Sequence, residues 1–221
     1  MRHRVRRERL GVTNLVLHDY ALDDQCYKVR LLLSVMRLDC ELIAVDAFPG
    51  REHLGPAYRR LNPLGRLPIL CDGDFVLSGA EAILAYLAKA HDRSGRWLPG
   101  DGRQFGAVMA WLAFASGDLH AASQARLHDV LEGPGDGPAL RQAARDAFRI
   151  MDDHMTRRGF DGAEWFVGET ATVADIALFP TIALSRDFGV EHEEYPALRH
   201  WMRKVRGLPG FVTMPGIPDY H

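Results

Sequence analysis

No stretch of this 221-residue chain approaches the roughly 20 consecutive apolar residues that a membrane helix needs, so no spanning segment is expected. The beginning of the chain has arginine where a secretory signal carries an apolar core: five arginines fall within Met1 to Val12. Cysteine is scarce. Cys26, Cys40 and Cys71 form no CxxC pair and no metal-ligand spacing, and an odd count without a secretory signal predicts reduced thiols and a cytoplasmic protein. The ten histidines are scattered and include no HExxH, so no metal is expected. Net charge is small as well, −2 from 27 basic and 29 acidic residues, which argues against a nucleic-acid or anionic-membrane partner. Against that balance the Arg-rich segment 1–12 reads as a solvated, flexible tail.

What is present suffices for a large core, since 47% of the residues are hydrophobic. Asn14 to His18 reads as a first strand. From Cys26, the apolar residues Val29, Leu32, Leu33 and Met36 form a helical stripe, and Glu41 to Asp46 reads as a second strand. An irregular segment follows. Then come a strand, an Asp72-Gly73 hairpin signal, a strand over Phe75 to Leu77 and a helix up to His91, with Ala80, Ile83, Leu84, Leu87 and Ala88 on one face. This βαβ–ββα order is the thioredoxin-like layout, so residues 13–91 are expected to form an α/β domain. Residues 92–103 are rich in Gly, Pro and charge and read as a linker. Everything over 104–221 reads as an all-helical domain. One long helix is expected from Phe105 to about Leu131. A second runs from Ala139 to Arg158, a third spans 172–188 with a kink at Pro180, and a last covers Tyr195 to Arg206. Thr172-Val-Ala-Asp175 has the form of a capping box, which assigns Asp175 to helix capping rather than to catalysis.

The chain is organised around Asn62-Pro-Leu-Gly-Arg-Leu-Pro-Ile-Leu70. Pro63 biases Asn62 away from helix, Gly65 permits a positive φ, and Pro68 opens a strand. A cis Leu67–Pro68 bond would leave the Leu67 backbone facing outward, where an extended peptide could pair with it. This run, followed by the hairpin and by Ala82-Ile83 and Tyr86-Leu87, resembles the glutathione transferase N-terminal domain, whose signature is NPxGxVP, a hairpin and ESxAIxxYL. The capping box before Ala174-Asp-Ile-Ala-Leu178, and Pro196-x-Leu198 through Trp201 to Pro209-Gly-Phe211, are similar to motifs of that family's helical domain. The resemblance covers about Asn14 to Phe211.

It implies glutathione as co-substrate, lying along the first domain with its cysteinyl part on Leu67 and Pro68. It also implies an apolar pocket for a small hydrophobic molecule, and a homodimer. His53 and Arg66 fall where some members hold the glycine carboxylate, a role both chemistries suit. Two positions depart from the pattern. Bacterial members begin the first helix with a serine that donates to the glutathione sulfur, and that position holds Asp23; an ionised carboxylate only accepts and would repel a thiolate. Asp23 also suits a helix cap, which leaves Tyr20 as the nearest hydroxyl for the thiol. The Glu-Ser pair that binds the γ-glutamyl end is replaced by Gly79 and Ala80, which offer backbone N–H groups at a helix start, with Glu81 beside them. Ala113, Ser116 and Gly117 are small enough to leave room for a bulky ligand. Three readings stay open: a transferase conjugating glutathione to a hydrophobic electrophile, a ligand-binding homologue without the glutathione site, and a glutathione-independent enzyme using Asp23 or Cys26.

Overall fold

The computed structural model describes residues 15–217; the Arg-rich segment 1–12 lies outside the described residues. Strand β1 (Leu15–Asp19) buries Leu15, Leu17 and Asp19 and leaves the alternate residues half-covered, the period-two pattern of a strand. Helix α1 (Asp24–Met36) starts at Asp23, whose carboxylate accepts from the Cys26 N–H at 2.8 Å, and ends at Arg37 in the left-handed region. It carries the chain over to β2 (Cys40–Ala44), which pairs parallel with β1. The segment expected to be irregular contains a short helix, α2 (Pro56–Leu61), with proline at its first turn. Strands β3 (Ile69–Asp72) and β4 (Phe75–Ser78) complete a sheet of order β2-β1-β3-β4, with β3 antiparallel to both neighbours. Asp72 pairs with Phe75, so the hairpin loop is Gly73-Asp74, one place beyond the sequence signal, with Gly73 at φ +62°. Helix α3 (Ala80–His91) buries the five residues expected of its inner face.

The helical part comprises α4 (Gly102–Ser116), α5 (His120–Leu131), α6 (Gly137–Phe160), α7 (Val173–Ala183) and α8 (Pro196–Arg206). The single long helix expected over 105–131 is therefore two. The break is at Gly117, whose N–H closes onto the Ala113 and Phe114 carbonyls while its ψ of −104° turns the chain out of the helix. Helix α7 continues past Pro180 but stops at Ala183, and Ser185–Phe188 is a separate 3-10 turn.

Every residue of α7 is buried, and α7 forms the centre of the core. The capping box is present: Thr172 takes the Ala174 N–H, and Asp175 takes the Thr172 N–H at 2.9 Å. The other Asp175 oxygen accepts from the Phe166 N–H at 3.1 Å and from the Trp201 indole at 2.9 Å, so one carboxylate joins α7 to α8. The two halves meet where α1 packs on α7. Tyr27 donates to the Val212 carbonyl at 2.6 Å and Ser34 to the Gly210 carbonyl at 2.6 Å. Both bonds fix α1 against the end of the chain, and so fix where its N-terminus points.

Candidate functional site

The N-terminus of α1 opens into a cleft of about 380 Å³ between the two halves of the molecule. Its floor is Tyr20, Asp23, Asp24 and Gln25. One wall is the turn Gly65-Arg66-Leu67, another the loop after β2 with Ala47, Phe48 and His53, and the far side is α5. Five of the residues singled out from sequence (Tyr20, Asp23, His53, Arg66 and Leu67) therefore line one cavity.

The Leu67–Pro68 bond is cis and Pro68 is buried. Because β3 begins only at Ile69, the Leu67 peptide lies beyond the sheet pairing. The Asn62 amide donates to the Arg66 carbonyl at 2.8 Å and its oxygen accepts from the Leu64 N–H at 3.1 Å, which holds the turn in shape. Above it the Arg66 side chain is exposed and, among the described residues, has no salt bridge. His53 sits on a 3-10 turn over Glu52–Leu54; its Nδ1 is buried without a hydrogen-bond partner among the described residues. Burial, then the Arg51 and Arg59 charges, lower its pKa. An imidazole with an unpaired nitrogen and a guanidinium without a salt bridge among the described residues, both lining the cleft, are equipped for a carboxylate.

At the floor, Asp23 is the cap of α1, and desolvation followed by the Asp24 charge raises its pKa to about 6. The Tyr20 phenol is raised too, by burial and then by Asp46 and Asp23, so it is a neutral donor at physiological pH. Cys26 is fully buried, its sulfur accepts from the Tyr20 N–H at 3.4 Å, and burial then Asp23 push its pKa well above the free value. That thiol is closed to a substrate and is a packed side chain.

Gly79 and Ala80 do not join this group. Neither lines the cleft; Gly79 is the cap of α3 at φ +94°, and Ala80 is buried against the core. Glu81 is engaged elsewhere, 2.8 Å from the Nζ of fully buried Lys28. The small residues Ala113, Ser116 and Gly117 do not line the cleft either, because the turn at Gly117 places α5 there instead. Its wall is His120, Ser123, Gln124, Leu127 and Leu131, which periodicity alone did not single out. Desolvation lowers the His120 pKa more than the nearby Asp24 charge raises it. Behind them a polar chain crosses the seam. Ser123 donates to Asp24, Gln25 reaches both (3.0 and 3.1 Å), and Lys28 donates to the Gln25 side-chain oxygen Oε1 at 3.0 Å and to Glu81. On the next turn of α5, Arg126 donates to the Leu22 carbonyl at 2.5 Å and to Asp187 at 2.7 Å.

Family comparison settles the ancestry of this arrangement. Residues 17–95 match the model of the glutathione S-transferase N-terminal domain and residues 120–204 that of its C-terminal domain. The chain belongs to the glutathione S-transferase superfamily. It is 26% identical over 209 residues to a probable maleylacetoacetate isomerase of Vibrio cholerae, covering 90% of this chain and 94% of that one. It is 28% identical over 191 residues to the disulfide-bond oxidoreductase YfcG of Escherichia coli, covering 83% and 86%. The crystal structure of a glutathione S-transferase from Pseudomonas fluorescens superposes with a TM-score of 0.82 at 26% identity, over 91% of this chain and 98% of that one. Relatives thus include transferase, isomerase and oxidoreductase names, and membership of the superfamily does not by itself select the reaction.

Proposed function

We propose that this glutathione S-transferase homologue conjugates the glutathione thiol to a small hydrophobic electrophile. The observation that carries the reading is the convergence of Tyr20, His53, Arg66 and the unpaired Leu67 peptide on one cleft. In this reading the glycine carboxylate meets Arg66 and His53, and the cysteinyl backbone pairs with Leu67 as an added strand. The Tyr20 hydroxyl then donates to the sulfur, which lowers the thiol pKa and raises the thiolate fraction. The thiolate forms a carbon–sulfur bond as the electrophile expels its leaving group, or as its double bond takes up a proton. Leu127, Leu131 and Phe48 supply the apolar side for that second substrate. The protein acts as a homodimer: Phe75 and Val76 are exposed on the sheet-edge strand β4, and Phe105 and Met109 on α4, giving apolar surface for a second copy.

A second reading, a ligand-binding homologue that does not conjugate glutathione, is favoured by Gly79, Ala80 and the Lys28–Glu81 pair. With no acid and hydroxyl for the γ-glutamyl end, two charge-assisted hydrogen bonds are missing, roughly 3–6 kcal/mol of gross affinity. A millimolar ligand has only about 4 kcal/mol in total. Thiolate absorbance of bound glutathione against pH separates the two. Tyr20→Phe should raise the thiol pKa toward its free value under the first reading; an unchanged pKa would remove Tyr20 from the chemistry.

A further inference from the structure

Outside the cleft, α8 and the two 3-10 turns before it, Ser185–Phe188 and His192–Glu194, enclose a second cavity of about 520 Å³. It is lined by Arg186, His192, Glu193, Arg199, Met202, Arg203, Arg206 and Gly207. Four guanidinium groups against one carboxylate is an unusual balance in a chain whose net charge is −2. The spacing 199, 203, 206 puts three of them on one face of α8. Arg186 is committed to Glu191 and Glu193, each at 3.0 Å. Arg199 and Arg203 make no salt bridge among the described residues and stay exposed at the rim.

The floor provides a second, independent observation. His192 is 7% exposed, and its Nε2 has no hydrogen-bond partner among the described residues. A buried donor or acceptor left unpaired costs about 1–3 kcal/mol, so such groups in native proteins have an explanation, commonly a ligand or a water. Burial, then the Arg186 charge, lowers the His192 pKa, and the one N–H of the neutral ring is taken by the Ile182 carbonyl, so the unpartnered Nε2 is an acceptor. Two forked guanidinium groups at one space suit an oxyanion with several acceptor oxygens, and the Nε2 lone pair of His192 suits a hydroxyl on the same ligand. The space exceeds one such group, and Met202 gives it an apolar wall.

We propose that this cavity is a second ligand site, for a small organic phosphate, with the phosphoryl group on Arg199 and Arg203 and the organic part against Met202, a hydroxyl of it on His192 Nε2. The site is independent of the conjugation reading. Calorimetry of the full chain with inorganic pyrophosphate at fixed ionic strength tests it, with acetate as a monoanion control. The expected result is saturable pyrophosphate binding, weakened tenfold or more in Arg199→Ser/Arg203→Ser and unchanged in Arg66→Ala. Because both substituted arginines are exposed, the variant keeps its fold, which circular dichroism checks. Absence of saturation, an equal response to acetate, or full binding by the double variant would overturn the proposal. So would loss of pyrophosphate binding in Arg66→Ala, which would place the anion in the cleft. Steeply salt-dependent binding of a random RNA oligomer without pyrophosphate saturation would equally overturn it, in favour of a polyanion surface.

Discussion

Lys28 Nζ lies 2.8 Å from Glu81 Oε1, and this pair, buried at Lys28 and half-buried at Glu81, joins α1 to α3. Glu81 is therefore committed to an internal cation and is not available to an incoming ammonium group. Removing it leaves Lys28 charged in the interior. Glu81→Ala is predicted to cost about 3–5 kcal/mol of folding free energy, because breaking the pair strands the buried Lys28. Replacing both with apolar residues of similar volume should cost much less. Urea denaturation of the single and double variants checks this; equal losses in the two would show that packing, not charge, is what matters at this position.

Asp23 provides a pH signature. Its folded-state pKa is raised to about 6, above the ordinary value of 3.8, so between these values the folded protein holds a proton that the unfolded chain has lost. The group therefore penalises folding increasingly as pH rises through that window, and the penalty is complete above about pH 6. Asparagine keeps the helix cap without the charge. Asp23→Asn should gain roughly 1–2 kcal/mol at pH 8 and nothing near pH 4, measured by denaturation at the two values. A pH-independent gain would mean that the cap, not the charge, had changed. Under the conjugation reading, Asp23→Ser should also lower the pKa of bound glutathione, since a repelling carboxylate becomes a donor.

Under the conjugation reading, the γ-glutamyl end can be rebuilt in part. Gly79 stands at φ +94° and ψ 119°, a sparsely populated conformation that costs a side chain about 1–3 kcal/mol, although the space above it is open. Gly79→Glu/Ala80→Ser should tighten glutathione binding about tenfold or more, with Gly79→Glu lowering stability by that strain. Competitive titration and thermal unfolding report the two effects separately. Tighter binding without any stability loss would show that the backbone at residue 79 relaxes.

Much of this molecule is written locally in its sequence. The Pro63–Gly65–Pro68 turn, the hairpin, the buried face of α3 and the Thr172–Asp175 box each depend on residues a few places apart, where propensity and periodicity act. What was not legible depends on tertiary approach. The Asp24–Ser123 and Lys28–Glu81 contacts join residues far apart in sequence, and no periodicity announces them. The short α2 lies below the length at which a hydrophobic stripe can be read, and the break at Gly117 rests on one residue within a run rich in alanine. For the same reason the α5 face of the cleft, from His120 to Leu131, emerged only with the turn that aims it.

Titration calorimetry of the full chain with glutathione and with S-methyl glutathione tests the central claim most directly. The account predicts binding of both in the micromolar to low millimolar range, roughly 4–8 kcal/mol, and about tenfold weaker binding in Arg66→Ala. No heat with either ligand, and no saturation by an independent NMR titration, would contradict it and leave the cleft to a different ligand.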